Sequence, residues 1–142
     1  MKDGASTSSA RTELKVSSET LSLIQSAART AHPREACGIL TGTGARITGL
    51  IITPNVHPTP ETHFEIHHQS LIDAHRAERE GGPQVVGYFH SHPTTTARPS
   101  ATDRASAAHD GKIWAIHGTD GIAFWRDDEA GFTPLSYSLL DA

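Results

Sequence analysis

The stretch Val85-Val-Gly-Tyr-Phe-His-Ser-His-Pro93 limits the fold of this chain more than any other. Val85 to Phe89 is a short run of β-branched, aromatic and small residues and reads as a strand, which delivers His90 and His92 at its C-terminal end. Side chains at i and i+2 of an extended segment point the same way, so the two imidazoles project together and Ser91 points to the opposite face. Pro99, Ser100 and Asp103 then read as the opening of a short helix from Ser100 to Ala108, with Ser100 as N-cap and Asp103 at N3. The chain must therefore place a strand end beside a helix start, with two imidazoles and a carboxylate drawn from fourteen consecutive residues.

Two neutral imidazoles and one carboxylate would leave a Zn²⁺ ion with net positive charge and one open position, which is the pattern of a catalytic rather than a structural zinc. A simpler reading competes with this one. Ser-x-x-Asp before a helix is also a plain cap, in which Asp103 only complements the helix dipole, and an isolated His-x-His at a strand end more often just faces solvent. Spacing alone leaves both readings open.

The remaining sequence supplies the scaffold. A helix is expected from Ser17 or Ser18, through Leu21, Leu23, Ile24, Ala27, Ala28 and Ala31, ending at Pro33. Cys37–Thr41 and Arg46–Thr53 read as a hairpin about a Gly42-Thr-Gly44 turn, with the first strand buried. Thr53 to Thr62 holds three prolines and must be a loop, and His63–Ile66 reads as a short strand after it. A second helix stops at Gly81 and Gly82, and Lys112–His117, Gly121–Arg126 and Phe132–Leu140 finish the chain as strands. Helices interspersed among strands, some joined by tight turns and others needing crossovers, give an α/β fold with a mixed β-sheet flanked by helices. Residues 1–13 are small, polar and aperiodic, the composition of a disordered tail, so one domain over residues 14–142 is expected, in keeping with a length of 142 residues.

Composition excludes several classes of partner. A formal charge of -4 with no basic block gives no reason to bind nucleic acid or an anionic membrane. The longest apolar stretches fall far short of the roughly 18 to 20 residues that cross a bilayer. A lone cysteine, Cys37, cannot form an internal disulfide, and a cytoplasmic setting follows as the expectation.

His90-Ser-His92, seven further residues, Ser100, two residues and Asp103 together resemble the His-(Ser/Thr)-His-x7-Ser-x-x-Asp signature of the JAMM/MPN metalloprotease family. "HPREACGILTG" from His32, "NVHPTPETHFEIHH" from Asn55 and "VVGYFHSHP" from Val85 are similar to the segments that surround the site in that family, so the resemblance covers roughly residues 14 to 138. It implies an MPN/JAMM domain related to the cytidine deaminases, although the Pro-Cys-x-x-Cys ligands of a deaminase are absent. It also implies that His90, His92 and Asp103 hold Zn²⁺ beside a water, that Glu35 is the general base, and that Ser100 donates to the developing oxyanion. Ser91 is not a nucleophile on this reading, because its neighbours are taken by the metal and its side chain faces away.

The family hydrolyses bonds that follow the C-terminal Gly-Gly of ubiquitin-like proteins. The short Thr53–Thr62 and Thr94–Pro99 loops resemble those of compact bacterial stand-alone members, associated with β-grasp sulfur carriers. The implied partner is therefore a ubiquitin-like β-grasp protein with a C-terminal Gly-Gly, acted on by a monomer or homodimer, and its tail could pair with the edge of His63–Ile66. The alternatives are a zinc hydrolase of small peptides or amides and a non-catalytic MPN binding scaffold. His63, His67 and His68 read as surface or groove residues rather than a second metal cluster. Trp114 and Trp125 read as cross-strand packing, and Cys37 as a small buried hydrophobe.

Overall fold

The computed structural model describes residues 13–141. Its strands are β1 (Glu13–Val16), β2 (Cys37–Thr43), β3 (Arg46–Thr53), β4 (Gln84–Ser91), β5 (Ile113–Gly118), β6 (Gly121–Asp128) and β7 (Gly131–Leu139), and its helices are α1 (Ser18–Ala31), α2 (His68–Arg79) and α3 (Ala101–Ser106). The strands close into a barrel in the order β1-β3-β2-β4-β5-β6-β7. The β1–β3, β4–β5 and β7–β1 pairs are parallel and the others antiparallel. The expected mixed sheet with flanking helices is thus present. Among the described residues no helix is long and apolar enough to cross a membrane.

Alternation along β2 and β4 sorts the core. Leu40 and Phe89 join Leu14, Val16, Ile24, Ile47, Ala115 and Phe124 in one buried cluster. Cys37, Ile39 and Val85 join Ile66 and Ala74 in a second, against which Phe64, Leu71 and Tyr88 pack. Both faces of β2 are covered, which is why Cys37–Leu40 reads as a continuous apolar run and is fully buried. Each large side chain withdrawn from water in this way contributes about 1.5–3 kcal/mol. His90 lies on the second face, with Tyr88, and Ser91 on the first.

The parallel β4–β5 pair positions the site. It aligns His90 with Ile116 and Ser91 with His117, and its crossover carries α3 back to the strand ends. The loop of residues 93–99 is fastened onto the β5–β6 hairpin: Ala97 N–H donates to Asp120 Oδ1 at 2.9 Å, Trp125 Nε1–H donates to Ala97 O at 3.0 Å, and Thr119 N–H donates to Thr95 O at 2.9 Å. Gly118 is required for this seating, since a Cβ there would fall 2.3 Å from the Ala97 nitrogen.

Some expectations need correction. His63–Ile66 is not a strand, because among the described residues only one isolated bridge, Asn55 with Ile66, forms there. Leu14–Val16 belongs to a strand that periodicity did not reveal, and Glu13 opens that strand rather than ending a tail; residues 1–12 lie outside the described residues. β2 runs on through Gly42 and Thr43, and its turn comes at Gly44, with φ of 61°. The expected cross-strand pairing of Trp114 and Trp125 is present, since the two are register partners; in addition Trp125 holds the 93–99 loop, and Trp114 packs edge-on against His90, with 5.6 Å between ring centroids.

Candidate active site

His90 is the penultimate residue of β4, His92 follows one residue beyond the strand, and Asp103 sits in the first turn of α3. The cap expected of Ser100 and Asp103 is present, and the same arrangement turns the Asp103 carboxylate toward His90 and His92. Ser100 Oγ accepts from Asp103 N–H at 3.0 Å, and Ser100 N–H donates to Asp103 Oδ2 at 2.9 Å, a capping box. That box aims the carboxylate at the histidines: Asp103 Oδ2 lies 3.1 Å from both His90 Nε2 and His92 Nε2, and the two Nε2 atoms are 3.1 Å apart. All three residues are buried.

This geometry suits a metal ion. Bonds of about 2.0–2.1 Å at a tetrahedral zinc place neighbouring donor atoms ~3.3 Å apart, close to the observed spacing. The donor chemistry agrees. His92 Nδ1 lies 2.8 Å from the Thr96 carbonyl, an acceptor, so Nδ1 carries a proton and Nε2 can present a lone pair. His90 has no such anchor, since its Nδ1 is buried without a hydrogen-bond partner among the described residues. Its ring is instead held by packing, with Phe64 stacked on it at 4.3 Å and an interplanar angle of 14°. Among the described residues, His90, His92 and Asp103 form the one group able to hold a metal.

The charges fit the same picture. Burial opposes ionisation of Asp103, but hydrogen bonds from His90 and His92, the charge of His90, and the Ser100 N–H outweigh it and hold the carboxyl well below its usual range. Burial lowers the His90 pKa, whereas at His92 the Asp103 and Thr96 hydrogen bonds overcome burial and raise it.

Glu35 joins the site from 55 residues upstream of His90. It is buried, and burial pushes its carboxyl up to about 7, with His92 lowering it and Asp103 raising it further. Its backbone is pinned on three sides. Glu35 N–H donates to Pro60 O at 2.7 Å, Glu35 O accepts from Asn55 Nδ2 at 3.0 Å, and the next residue, Ala36, donates its N–H to Ser91 Oγ at 2.8 Å. Ser91 therefore faces away from the ligands, as alternation requires, and joins the strand that bears them to the Glu35 loop.

His63, His67 and His68 do not converge on the site. His63 stacks on His57 at 4.6 Å, His67 Nδ1 lies 3.3 Å from Ser70 Oγ, and His68 is 3.6 Å from Glu65 at the surface. Sequence reasoning missed Asn55, Phe64 and the Thr96 carbonyl. A lone asparagine opening a proline-rich loop is the only signal that could have pointed to the first.

A buried His-His-Asp group with a nearby glutamate on this closed mixed-sheet scaffold defines a JAMM-type metallopeptidase. The chain belongs to the family described as prokaryotic homologs of the JAB domain, whose profile matches residues 17–128. It is similar to a desampylase from Haloferax volcanii, with 34% identity over 75% of this chain and 79% of that protein. It is also similar to a "Probable TtuB-protein conjugate cleaving protease" from Thermus thermophilus, with 33% identity over 63% of this chain and 60% of that protein. The crystal structure of a JAB1/MPN domain protein from Archaeoglobus fulgidus shares the fold, with a TM-score of 0.58 and 22% identity over 88% of this chain and 96% of that one.

Proposed function

We propose that this chain is a zinc-dependent peptidase or isopeptidase that hydrolyses the bond after the C-terminal Gly-Gly of a ubiquitin-like protein, a sulfur carrier in particular. The observation that carries this reading is the buried convergence of His90, His92 and Asp103 within 3.1 Å of one another, with Glu35 held nearby. The desampylase and the TtuB-conjugate protease among the relatives support the substrate class. A single cysteine whose thiol is free and buried supports a cytoplasmic setting.

In this reading His90, His92 and Asp103 hold the ion. Bound zinc supplies a Lewis acid and lowers the pKa of a water to about 7. Glu35 takes a proton from the attacking water and returns it to the departing amine, a two-way task suited to a carboxyl whose pKa lies near 7. Ser100 uses its hydroxyl oxygen as a cap acceptor, which leaves the hydroxyl proton to donate to the carbonyl oxygen as it gains charge. A cleft of about 440 Å³ between α1 and the end of β3, lined by Thr30, Arg34 and Ile52 among others, has Glu35 on its wall. Such a cleft suits an extended tail whose glycines have no side chains to accommodate.

The test is metal analysis of the protein as isolated, together with cleavage of a ubiquitin-like carrier fused through Gly-Gly to a reporter. Wild type should hold about one zinc and cleave the fusion, and a chelator should stop cleavage. Asp103→Asn should lose both metal and activity yet stay folded, because an amide oxygen can still accept from Ser100 N–H. Zinc bound without cleavage of any carrier fusion would favour a small-amide hydrolase, and an absence of metal would favour a binding scaffold; either result overturns the proposal.

A further inference from the structure

We infer that Asn55 is a positioning residue for Glu35, its carboxamide fixing the base relative to the metal ligands by tying the Glu35 main chain to the loop that carries Phe64. The inference rests on the reading of Glu35 as base and names a residue through which that role is set.

The side chain of Asn55 works as a five-way junction. Its Nδ2 donates to Glu35 O at 3.0 Å and to His63 O at 2.9 Å, with Pro60 O further off at 3.4 Å. Its Oδ1 accepts from His57 N–H and Glu65 N–H, both at 3.1 Å. Carbonyls surround one end and N–H groups the other, so the amide orientation is dictated by chemistry, and no other side chain of this size offers both donors and acceptors in that order. Two hydrogens of one NH₂ group reach both the carbonyl of Glu35, four residues beyond α1, and that of His63, the residue next to Phe64. Phe64 in turn stacks on His90, the ligand whose Nδ1 has no hydrogen-bond partner among the described residues.

Asn55 thus links the two sides of the metal site without touching it. The acceptor half shapes the loop, and the donor half reaches Glu35. Pro60 O closes the circuit, because it also accepts the Glu35 N–H at 2.7 Å. A carboxylate that must move a proton between water and an amine tolerates little displacement. A misplacement of ~1 Å can cost on the order of a hundredfold in rate.

Asn55→Asp separates the two halves, keeping an acceptor for His57 and Glu65 while setting an oxygen against the carbonyls of Glu35 and His63. Asn55→Ala removes both halves, as a second variant. With the carrier fusion as substrate, kcat should fall about tenfold to a hundredfold in Asn55→Asp, and KM should stay within about twofold. Zinc affinity by chelator competition should fall by no more than a few-fold, less than kcat, since all three ligands sit on β4, the residue after it, and α3, and Asn55 reaches His90 only through Phe64. In the Glu35→Gln background, Asn55→Asp should cost nothing further, the non-additivity expected of residues acting as one unit. In the metal-free protein, hydrogen exchange at the Glu35 amide should speed up by roughly tenfold or more.

An unchanged kcat, a loss of equal size in the Glu35→Gln background, or an undisturbed Glu35 amide would each overturn the inference. A wild-type protein that cleaves no carrier fusion would sink the functional reading instead, and the amide exchange would then decide the role of Asn55 alone.

Discussion

Replacing Glu35 with Gln should stabilise the metal-free protein at pH 8 and do little at pH 5. In the folded chain burial raises the carboxyl from 4.5 to about 7, so the native state holds this proton more tightly than the unfolded chain does. The stabilising contribution of the protonated form is complete below pH 4.5 and is lost as pH rises through about 7. At about 1.36 kcal/mol for each tenfold gain in proton affinity, the ionised carboxylate costs at most about 3 kcal/mol. Solvent entering the cleft screens part of that, so about 1–3 kcal/mol is expected. Glutamine keeps the shape and never ionises. Thermal melts in chelator should therefore show the variant gaining on the order of 5 °C over wild type at pH 8, with most of the gain gone at pH 5. Saturating Zn²⁺ should shrink the difference, because a nearby cation favours the ionised form. The same variant should lose turnover by about a hundredfold or more. A gain in stability that ignores pH, or a loss of stability at pH 8, would refute the claim that this carboxyl is held in a desolvated site where function rather than stability places it.

Other substitutions read separate parts of the site. Ser100→Ala should cost about 1 kcal/mol through the lost cap at Asp103 N–H, measured by denaturant unfolding, and lower kcat by about a hundredfold; Ser100→Thr should restore most of both. Phe64→Ala should weaken zinc affinity about tenfold, because the stacked ring rather than a hydrogen bond orients His90. Chelator competition would measure it, and an unchanged affinity would show that Trp114 alone holds the ring.

The convergence of the His-His-Asp group was the most legible part of this protein because its components are local. His90, His92, Ser100 and Asp103 share one strand, one loop and one helix start, and extended backbone with a helix cap leaves them few other places to point. The capping box illustrates the limit of such reading: sequence posed cap and ligand as rivals, while in the folded chain the cap aims the ligand. His63–Ile66 shows the opposite error. Its residues favour a strand, but the backbone N–H of Glu65 and the carbonyl of His63 are taken by the side chain of Asn55, and only one bridge to another segment forms.

The order of residues along the chain was thus enough for most strands and all three helices, and for placing His90, His92 and Asp103 within reach of one another, since short-range geometry and the periods of two and 3.6 residues operate within a few positions; their reading as metal ligands came from the family resemblance. Glu35 could be assigned only through resemblance, since no local rule singles out one acid among 16. Its position beside the metal ligands, the closure of β1 against β7, and the seating of the 93–99 loop over Gly118 were decided by tertiary packing. These features join segments dozens of residues apart, and the contacts that join them exist only once both cores have formed.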